Sequence, residues 1–580
     1  MPELRPSCRH RIPRGPLAIR SVLLSLLSGV VLSPWLTSSP TGAAELLEIQ
    51  LESLDIPVRL DQLDLWIRRD AASSQGTGGS AGSPVRGPRH DAETSFSGAS
   101  TAHRSPATGA APSAPDLGDL EVWLNLMEPR SRHGLIRLLQ APLLRDRSFG
   151  SQLLDSWAGG QMLLEVGDLL TTPEGRSTAP ELQATLRQLL LQRGEVSTLT
   201  LLRAMPQQRL RLRLDSLLSL AAQWRRQIEQ QGDALSSLQT LALPRHDTRL
   251  VLPERRQPEP LRMELSVPHR REALPIDLWP SADPAARHRP WLLVLPGLGG
   301  NADQLGWFAG ALAQRGWSVA VPQHPGSDGL ALQEALAGRL PPPGASTLAI
   351  RLQDVEAVLA AQRRGRLPLP GNGVVLVGHS LGGLTALLAA GAQPEPGLAQ
   401  RCSQAIDRLP IGNPSRLLQC ELVSTGVPAP LARPGDLRAL VLFNGFGSLL
   451  WPRGATAALP VPVLMVGGSL DLVTPPLEEQ LQLFLPAGDP RSRLVLVEGG
   501  SHFSPVRMQG RQEAVLRLGS EWVGVDPAMV QALLLGLGGE FLQSLEAPQR
   551  LPPQIRSQQG VRAFVLDPRA ARRWRGRLQS

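Results

Sequence analysis

Residues 374–383 read VVLVGHSLGG, and the reading of the central serine decides the fold. Gly378-His379-Ser380-Leu381-Gly382 satisfies Gly-x-Ser-x-Gly. In a chain of 580 residues with 56 glycines, chance alone supplies about 0.4 such matches. The chain holds a second match, Gly78-Gly79-Ser80-Ala81-Gly82, so context has to separate the two. Ser80 lies in Ala71–Pro115, a stretch rich in Ser, Gly, Ala, Pro and Thr that has too little apolar surface to fold. Ser380 has a buried-type strand behind it, Val374–Val377, and an apolar helix ahead from Leu384. That strand–turn–helix is the setting of a nucleophile elbow, in which glycines permit a tight turn that raises the serine at the edge of a sheet.

The flanking sequence extends this reading. The runs RLVLP, LRMELSVP and LPIDLW after Arg249 predict antiparallel edge strands. WLLVLPG, WSVAVPQ, VVLVG, LRALVLFNG, VPVLMVGG and RLVLVEGG then predict strands, with helices at Ala302–Arg315, Thr347–Arg363 and Leu384–Ala390 among them. Near-continuous Val/Leu strands alternating with helices imply a mostly parallel sheet covered on both faces. The fold class is therefore α/β, and with the elbow motif the pattern resembles an α/β-hydrolase fold preceded by a smaller, mainly helical region. Residues 249–548 form the hydrolase domain, and the Pro-rich 392–435, which breaks the rhythm, reads as a cap-like insertion.

A serine hydroxyl is a poor nucleophile without a positioned base. In this fold the acid and the base follow the serine in chain order, each beyond a later strand. Strand Val463–Val466 leads into Asp471 and strand Leu494–Val497 into His502, so Ser380, Asp471 and His502 are the expected catalytic triad. Glu498 is the competing acid but precedes His502 by only four residues. His324 comes before the serine and is assigned to the pocket floor, and His379 is too close in sequence to turn onto the Ser380 oxygen. A developing oxyanion needs fixed donors. Backbone N–H groups of Leu381 and, in the loop LPGLGG, of Leu298 are the candidates. Trp307 and Phe308, just past that loop, are candidates for the acyl pocket, with core packing as the other reading.

These residues resemble the α/β-hydrolase superfamily. The stretch VLPGLGGNADQLGWFAGALAQRGWSVAVPQHPGSD at Val294–Asp328, with GHSLGG and GSHFS, is similar to platelet-activating factor acetylhydrolases and dienelactone hydrolases. The upstream helical region looks like the uncharacterised N-terminal domain fused to such hydrolases in cyanobacteria. The resemblance implies a cofactor-free esterase for short acyl esters, with small-molecule or lipid esters, including phospholipids, as substrates. Pro296 stands where many relatives carry His, a departure that bears on substrate preference. Dienelactone hydrolases proper use a cysteine nucleophile, so Ser380 argues against that chemistry.

Composition bounds the rest. The chain has no Lys and no Tyr, and carries a net charge of +8. Such a charge favours contact with anionic surfaces such as phospholipid headgroups, but scattered Arg without interleaved aromatics does not read as nucleic-acid binding. Residues 1–44 read as an export signal: a basic start, the apolar run Ser21–Leu36, then Gly42 and Ala44 before a cleavage point. The run is shorter than the roughly 20 residues of a spanning helix, and an uncleaved anchor is the alternative. Export removes Cys8 and leaves Cys402 and Cys420, which either pair in an oxidising compartment or remain two buried thiols. No His/Cys spacing suits a metal.

Residues 45–70 begin an N-terminal domain that continues over 116–243 after the unstructured 71–115. Within it Leu214, Leu217, Leu218, Ala221 and Ile228 form a helical stripe flanked by arginines, either a core helix with a solvated face or a surface facing lipid or a substrate gate. Residues 549–580 read as an Arg-rich tail. The expected function is an exported serine carboxylic-ester hydrolase. An acyltransferase or peptidase on the same fold, or a catalytically silent binding module, are the alternatives.

Overall fold

The computed structural model describes residues 43–51, 54–76, 157–193, 196–247, 258–336, 339–340, 343–406, 412–507, 524–547, 551–558 and 560–579, with scattered positions between 124 and 154. Residues 1–42 of the export signal, most of 71–115 and the RLVLP run lie outside the described residues. Gly42–Ser580 is one compact unit, so the N-terminal region and the hydrolase region are parts of a single body.

The N-terminal region contributes β1 (Leu46–Leu51), β2 (Leu54–Arg59), β3 (Pro142–Leu144), β4 (Leu170–Thr171), β5 (Val196–Ser197) and β6 (Arg209–Arg213). A four-stranded sheet in the order β2-β1-β6-β4 therefore accompanies the helices expected there. The sequence RLRLR explains β6: alternation sends Leu210 into the core, while Arg211 reaches the buried Glu48 of β1 at 3.2 Å. Helix Leu60–Gly76 runs six residues into the stretch read as unstructured, because Ala71 and Ala72 are strong helix formers.

Helix Leu214–Ser237 joins this region to the rest. Of its expected stripe, Leu214 and Ile228 are only half-buried. Ala234 and Leu235, followed by Leu238, are firmly buried, and all three belong to the core of the hydrolase sheet.

That sheet has eleven strands: β7 (Arg245–Asp247), β8 (Leu261–Leu265), β9 (Leu274–Trp279), β10 (Trp291–Leu295), β11 (Val319–Pro322), β12 (Val374–His379), β13 (Leu437–Phe443), β14 (Val463–Leu470), β15 (Arg493–Ser501), β16 (Gln554–Gln558) and β17 (Val561–Leu566). Their order is β8-β9-β11-β10-β12-β13-β14-β15-β17-β16-β7. The six central strands β11-β10-β12-β13-β14-β15 are parallel. The β8–β9 hairpin is the expected antiparallel edge. Alternate residues of each central strand bury on opposite faces, Val375 and Val377 in one core and Val374 and Leu376 in the other. This two-sided burial is why these strands read as unbroken apolar runs.

The tail reading of 549–580 is corrected. These residues form β16, β17 and helix Pro568–Gln579. Trp574 is fully buried, and its Nε1 donates to Ala234 O at 3.2 Å and Ser237 Oγ at 2.9 Å. Exposed Arg569, Arg572 and Arg573 alternate with buried Ala570, Ala571 and Trp574, so the arginines concealed a helix with one apolar face.

The insertion at 392–435 holds helices Leu398–Ala405 and Ser415–Thr425, linked by a Cys402–Cys420 disulfide with a Cα–Cα distance of 5.6 Å. Of the two readings of these cysteines, the paired one is found.

Candidate active site

The site lies at the C-terminal ends of β12, β14 and β15. Strand β12 turns into helix Leu381–Ala389 through Ser380, whose backbone has φ 53° and ψ −120°. For a residue with a Cβ this left-handed conformation is strained. It persists because the turn is clamped: Ser380 N donates to Phe443 O at 3.0 Å, and Ser380 O accepts from Gly383 N at 2.8 Å. Two glycines make the clamp sterically feasible. A Cβ on Gly378 would stand 2.3 Å from Gly382 O, and one on Gly382 would stand 2.0 Å from Leu295 O.

The turn brings Ser380 to His502, with Ser380 Oγ 3.0 Å from His502 Nε2. His502 follows β15 directly, and its Nδ1 lies 3.1 Å from both carboxylate oxygens of Asp471, in the loop after β14. The three residues singled out from the sequence thus stand in one hydrogen-bonded line.

Asp471 is completely buried. Its Oδ1 accepts from Val473 N at 3.0 Å and Thr474 N at 2.7 Å, and its Oδ2 from Asn444 Nδ2 at 2.6 Å and from the Thr474 hydroxyl. Burial pushes its pKa up, but the His502 charge and the hydrogen bonds from His502 and Thr474 outweigh it and hold the carboxyl below its ordinary value. The group is therefore an anion facing an imidazole, able to fix the Nδ1–H tautomer and leave Nε2 as the base toward Ser380.

Asn444 and Thr474 were not found from the sequence. Asn444 closes β13 with φ 49°, and the only sequence signal for it was an Asn-Gly pair at a strand end. His379 does not reach Ser380. Its Nε2 donates to His502 O at 2.9 Å, so it buttresses the backbone of the base. Burial, then the nearby His502 charge, lower its pKa to about 3, and it is neutral at ordinary pH.

The loop Leu295–Gly300 packs against the elbow. A Cβ on Gly297 would meet Ser380 Cβ at 3.3 Å and His379 Nδ1 at 3.0 Å, so this glycine permits close approach. Gly299 N is tied to Ser327 O at 2.9 Å and Gly300 N to Gly297 O at 3.2 Å. Just before them, the Leu298 amide has no acceptor among the described residues, and neither has that of Leu381 at the start of its helix. Two uncommitted N–H groups beside a serine hydroxyl are what an oxyanion requires.

Of the two readings of Trp307 and Phe308, core packing is found. Trp307 and Phe308 sit in the core on one face of the sheet, Trp307 Nε1 donating to Pro505 O at 3.1 Å and the Phe308 ring standing edge-on to Phe443 at 5.4 Å. Phe308 lies three residues after the buried Leu305 and four before the buried Leu312, the spacing of one helix face. His324 does not line an open floor. It is 1% exposed, and its Nδ1 lies 2.7 Å from Asp354 Oδ2. Burial and the Arg351 charge lower its pKa to about 4.

One further buried carboxylate, Glu479, ties the insertion to the site's rim. It accepts from Asn413 Nδ2 at 2.8 Å and Gln419 Nε2 at 3.1 Å on the insertion, and from Gly447 N and Ser448 N, each at 2.9 Å, after β13.

No group of three or more His, Cys, Asp or Glu suited to hold a metal occurs among the described residues. No helix among them is long and apolar enough to cross a membrane.

Comparison with known families agrees with the fold. Residues 292–518 match the family described as Alpha/beta hydrolase family. Residues 116–213, which precede the hydrolase sheet, match Alpha/beta hydrolase of unknown function (DUF1400). No curated protein matches the chain. The chain carries α/β-hydrolase family domains, and a hydrolase-type function follows at that level.

Proposed function

We propose that the α/β-hydrolase domain of this chain is a serine carboxylic-ester hydrolase that works through an acyl-enzyme. The observation that carries the reading is the line Asp471–His502–Ser380 on a strained elbow, with two unpaired amides alongside. Ser380 Oγ attacks the ester carbonyl as its proton passes to His502 Nε2. The tetrahedral oxyanion is held by the N–H groups of Leu381 and Leu298. His502 then protonates the departing alcohol, and the acyl-enzyme is hydrolysed by water activated at the same nitrogen. Asp471 supplies the negative charge that stabilises the imidazolium. No cofactor enters these steps.

For the substrate we favour short acyl esters, phospholipid esters of the 1-alkyl-2-acetylglycerophosphocholine type among them. The support is the similarity of Val294–Asp328 to acetylhydrolases and the near-complete cover over Ser380, which is 8% exposed. Export to an oxidising compartment is supported by the Cys402–Cys420 disulfide. Peripheral contact with an anionic membrane is supported by exposed Arg569, Arg572 and Arg573 on one helix.

A fluorophosphonate probe labels the wild-type protein and fails to label Ser380→Ala. Labelling that persists in the variant removes Ser380 from its role. In a series of nitrophenyl esters kcat/KM is highest for acetyl and falls with chain length, and preference for long chains rules out the acetylhydrolase-like substrate.

A further inference from the structure

Helix Leu348–Arg363 carries a stripe of buried apolar residues, Leu348, Leu352, Val355 and Val358. Two charged residues interrupt that face. Arg351 and Asp354 are both fully buried, a placement that is costly for ions unless every charged atom is engaged. Asp354 accepts from Arg270 Nε and Nη2, each at 2.6 Å, from His324 Nδ1 at 2.7 Å and from His269 Nε2 at 2.8 Å.

Arg351 makes no hydrogen bond to that carboxylate. Its guanidinium points to the catalytic turn, where it meets three acceptors on three segments. Nη2 donates to Pro296 O in the loop that carries the Leu298 amide. Nη1 donates to Ser327 Oγ at 2.6 Å, and Ser327 O accepts the Gly299 amide of that same loop. Nε donates to Thr385 Oγ1 at 3.3 Å, and Thr385 donates in turn to Leu381 O at 2.8 Å. One planar, rigid group therefore holds one arm beside Ser380 at Pro296, two residues from the Leu298 amide, and reaches the other at Leu381 O through the Thr385 hydroxyl.

We propose that Arg351 is a positioning residue for the oxyanion site, setting the separation and aim of the Leu298 and Leu381 N–H groups. The inference rests on the hydrolase reading above. Its physical basis is that oxyanion donors act only if fixed before the charge develops, so their support must be stiff. A fork of five N–H groups in one plane holds three acceptors at set angles, and a lysine ammonium on a flexible stem does not. Burial, partly offset by Asp354, lowers the Arg351 pKa to about 9, which keeps the fork charged at neutral pH.

The test compares wild type with Arg351→Lys and Arg351→Met, and with Thr385→Val and Ser327→Ala, which leave the guanidinium in place and each remove one anchor. Three quantities are measured for each: kcat and KM on nitrophenyl acetate, the inhibition constant of an aryl boronic acid, and the thermal midpoint. Loss of one oxyanion donor elsewhere lowers kcat roughly 10²–10³-fold. Misaimed donors are expected to lower it about 30-fold in either Arg351 variant and about threefold in each anchor variant, with KM within about twofold. Boronate affinity, which needs a tetrahedral adduct, falls in step with kcat/KM.

A purely structural role lowers the thermal midpoint while the folded fraction keeps wild-type kcat and boronate affinity, and that result overturns the inference. If the Arg351 variants do not fold, the anchor variants decide by the same two readouts. Wild type that neither turns over ester nor binds boronate refutes the hydrolase reading itself. An active wild type matched by all four variants refutes only the role of Arg351.

Discussion

Replacing Asp471 with Asn tests its hold on the His502 tautomer with almost no change of shape. The carboxylate is enclosed by donors on every side: Val473 N and Thr474 N at Oδ1, Asn444 Nδ2 and the Thr474 hydroxyl at Oδ2, and His502 Nδ1 at 3.1 Å from both. The two backbone N–H groups cannot become acceptors, so the new amide must turn its oxygen to them. Its NH2 then occupies the Oδ2 position, facing Asn444 and His502. Asn444 accommodates it by flipping, since its own Oδ1 is buried without a partner among the described residues. His502 accommodates it only by accepting at Nδ1. The proton moves to Nε2, which lies 3.0 Å from Ser380 Oγ, and the imidazole becomes a donor where a base is needed. The corresponding change in a serine protease triad costs roughly 10⁴-fold in kcat, or about 5.5 kcal/mol of transition-state stabilisation. We expect that magnitude at neutral pH on nitrophenyl acetate, with KM little changed. Glu498→Gln serves as the control, because that carboxylate pairs with Arg562 and is 41% exposed, and it should behave as wild type. An Asp471→Asn protein that keeps more than a tenth of wild-type kcat would refute the tautomer reasoning, and loss in Glu498→Gln instead would move the acid to that residue.

Two further perturbations bear on the fold and on pH. Gly382→Ala places a methyl 2.0 Å from the Leu295 carbonyl oxygen, and backbone cannot yield there without moving the oxyanion loop. Loss of soluble protein or of nearly all esterase activity is expected, and a soluble, fully active variant would disprove the close packing of elbow and loop. Stability should also fall with acid. His324 and His379 have pKa values lowered to about 4 and about 3, so below about 6.5 the unfolded chain binds protons that the native state refuses. Their contribution is complete above that pH and is lost as pH drops toward 4 and 3. Asp354, lowered to about 2 against burial by bonds from Arg270 and His324, adds a contribution present above about 4 and lost below it. Urea midpoints at pH 7, 5.5 and 4.5 should therefore decrease in that order, and a flat series would contradict neutral burial of the two histidines.

Much of the site was legible because strands buried on both faces declare themselves as Val/Leu runs, and each run ended where a chemically apt residue began. Ser380, Asp471 and His502 were found by that logic. Asn444 and Thr474 were not, because a polar residue in a loop carries no sign of which oxygen it will face. Arg351 and Asp354 did leave a trace. Arg351 falls three residues after Leu348 and four before Val355, on the apolar stripe of its helix, and a charged residue at a core position is a signal in itself. The C-terminal segment was misread for the opposite reason, since its exposed arginines dominated the composition and hid Ala570, Ala571 and Trp574.

The sequence alone determined the layered α/β architecture, the elbow and the order of serine, acid and base, because periodicity and chain order are properties of neighbours along the chain. Only the tertiary structure decided which polar groups share a hydrogen bond. It brought His502 to 3.0 Å from Ser380 and 3.1 Å from Asp471, paired Cys402 with Cys420, sent Trp307 and Phe308 into the core, and set one buried guanidinium against both arms beside Ser380. Such pairings depend on where separate strands and helices end in space, which a one-dimensional pattern constrains only through the sheet it builds.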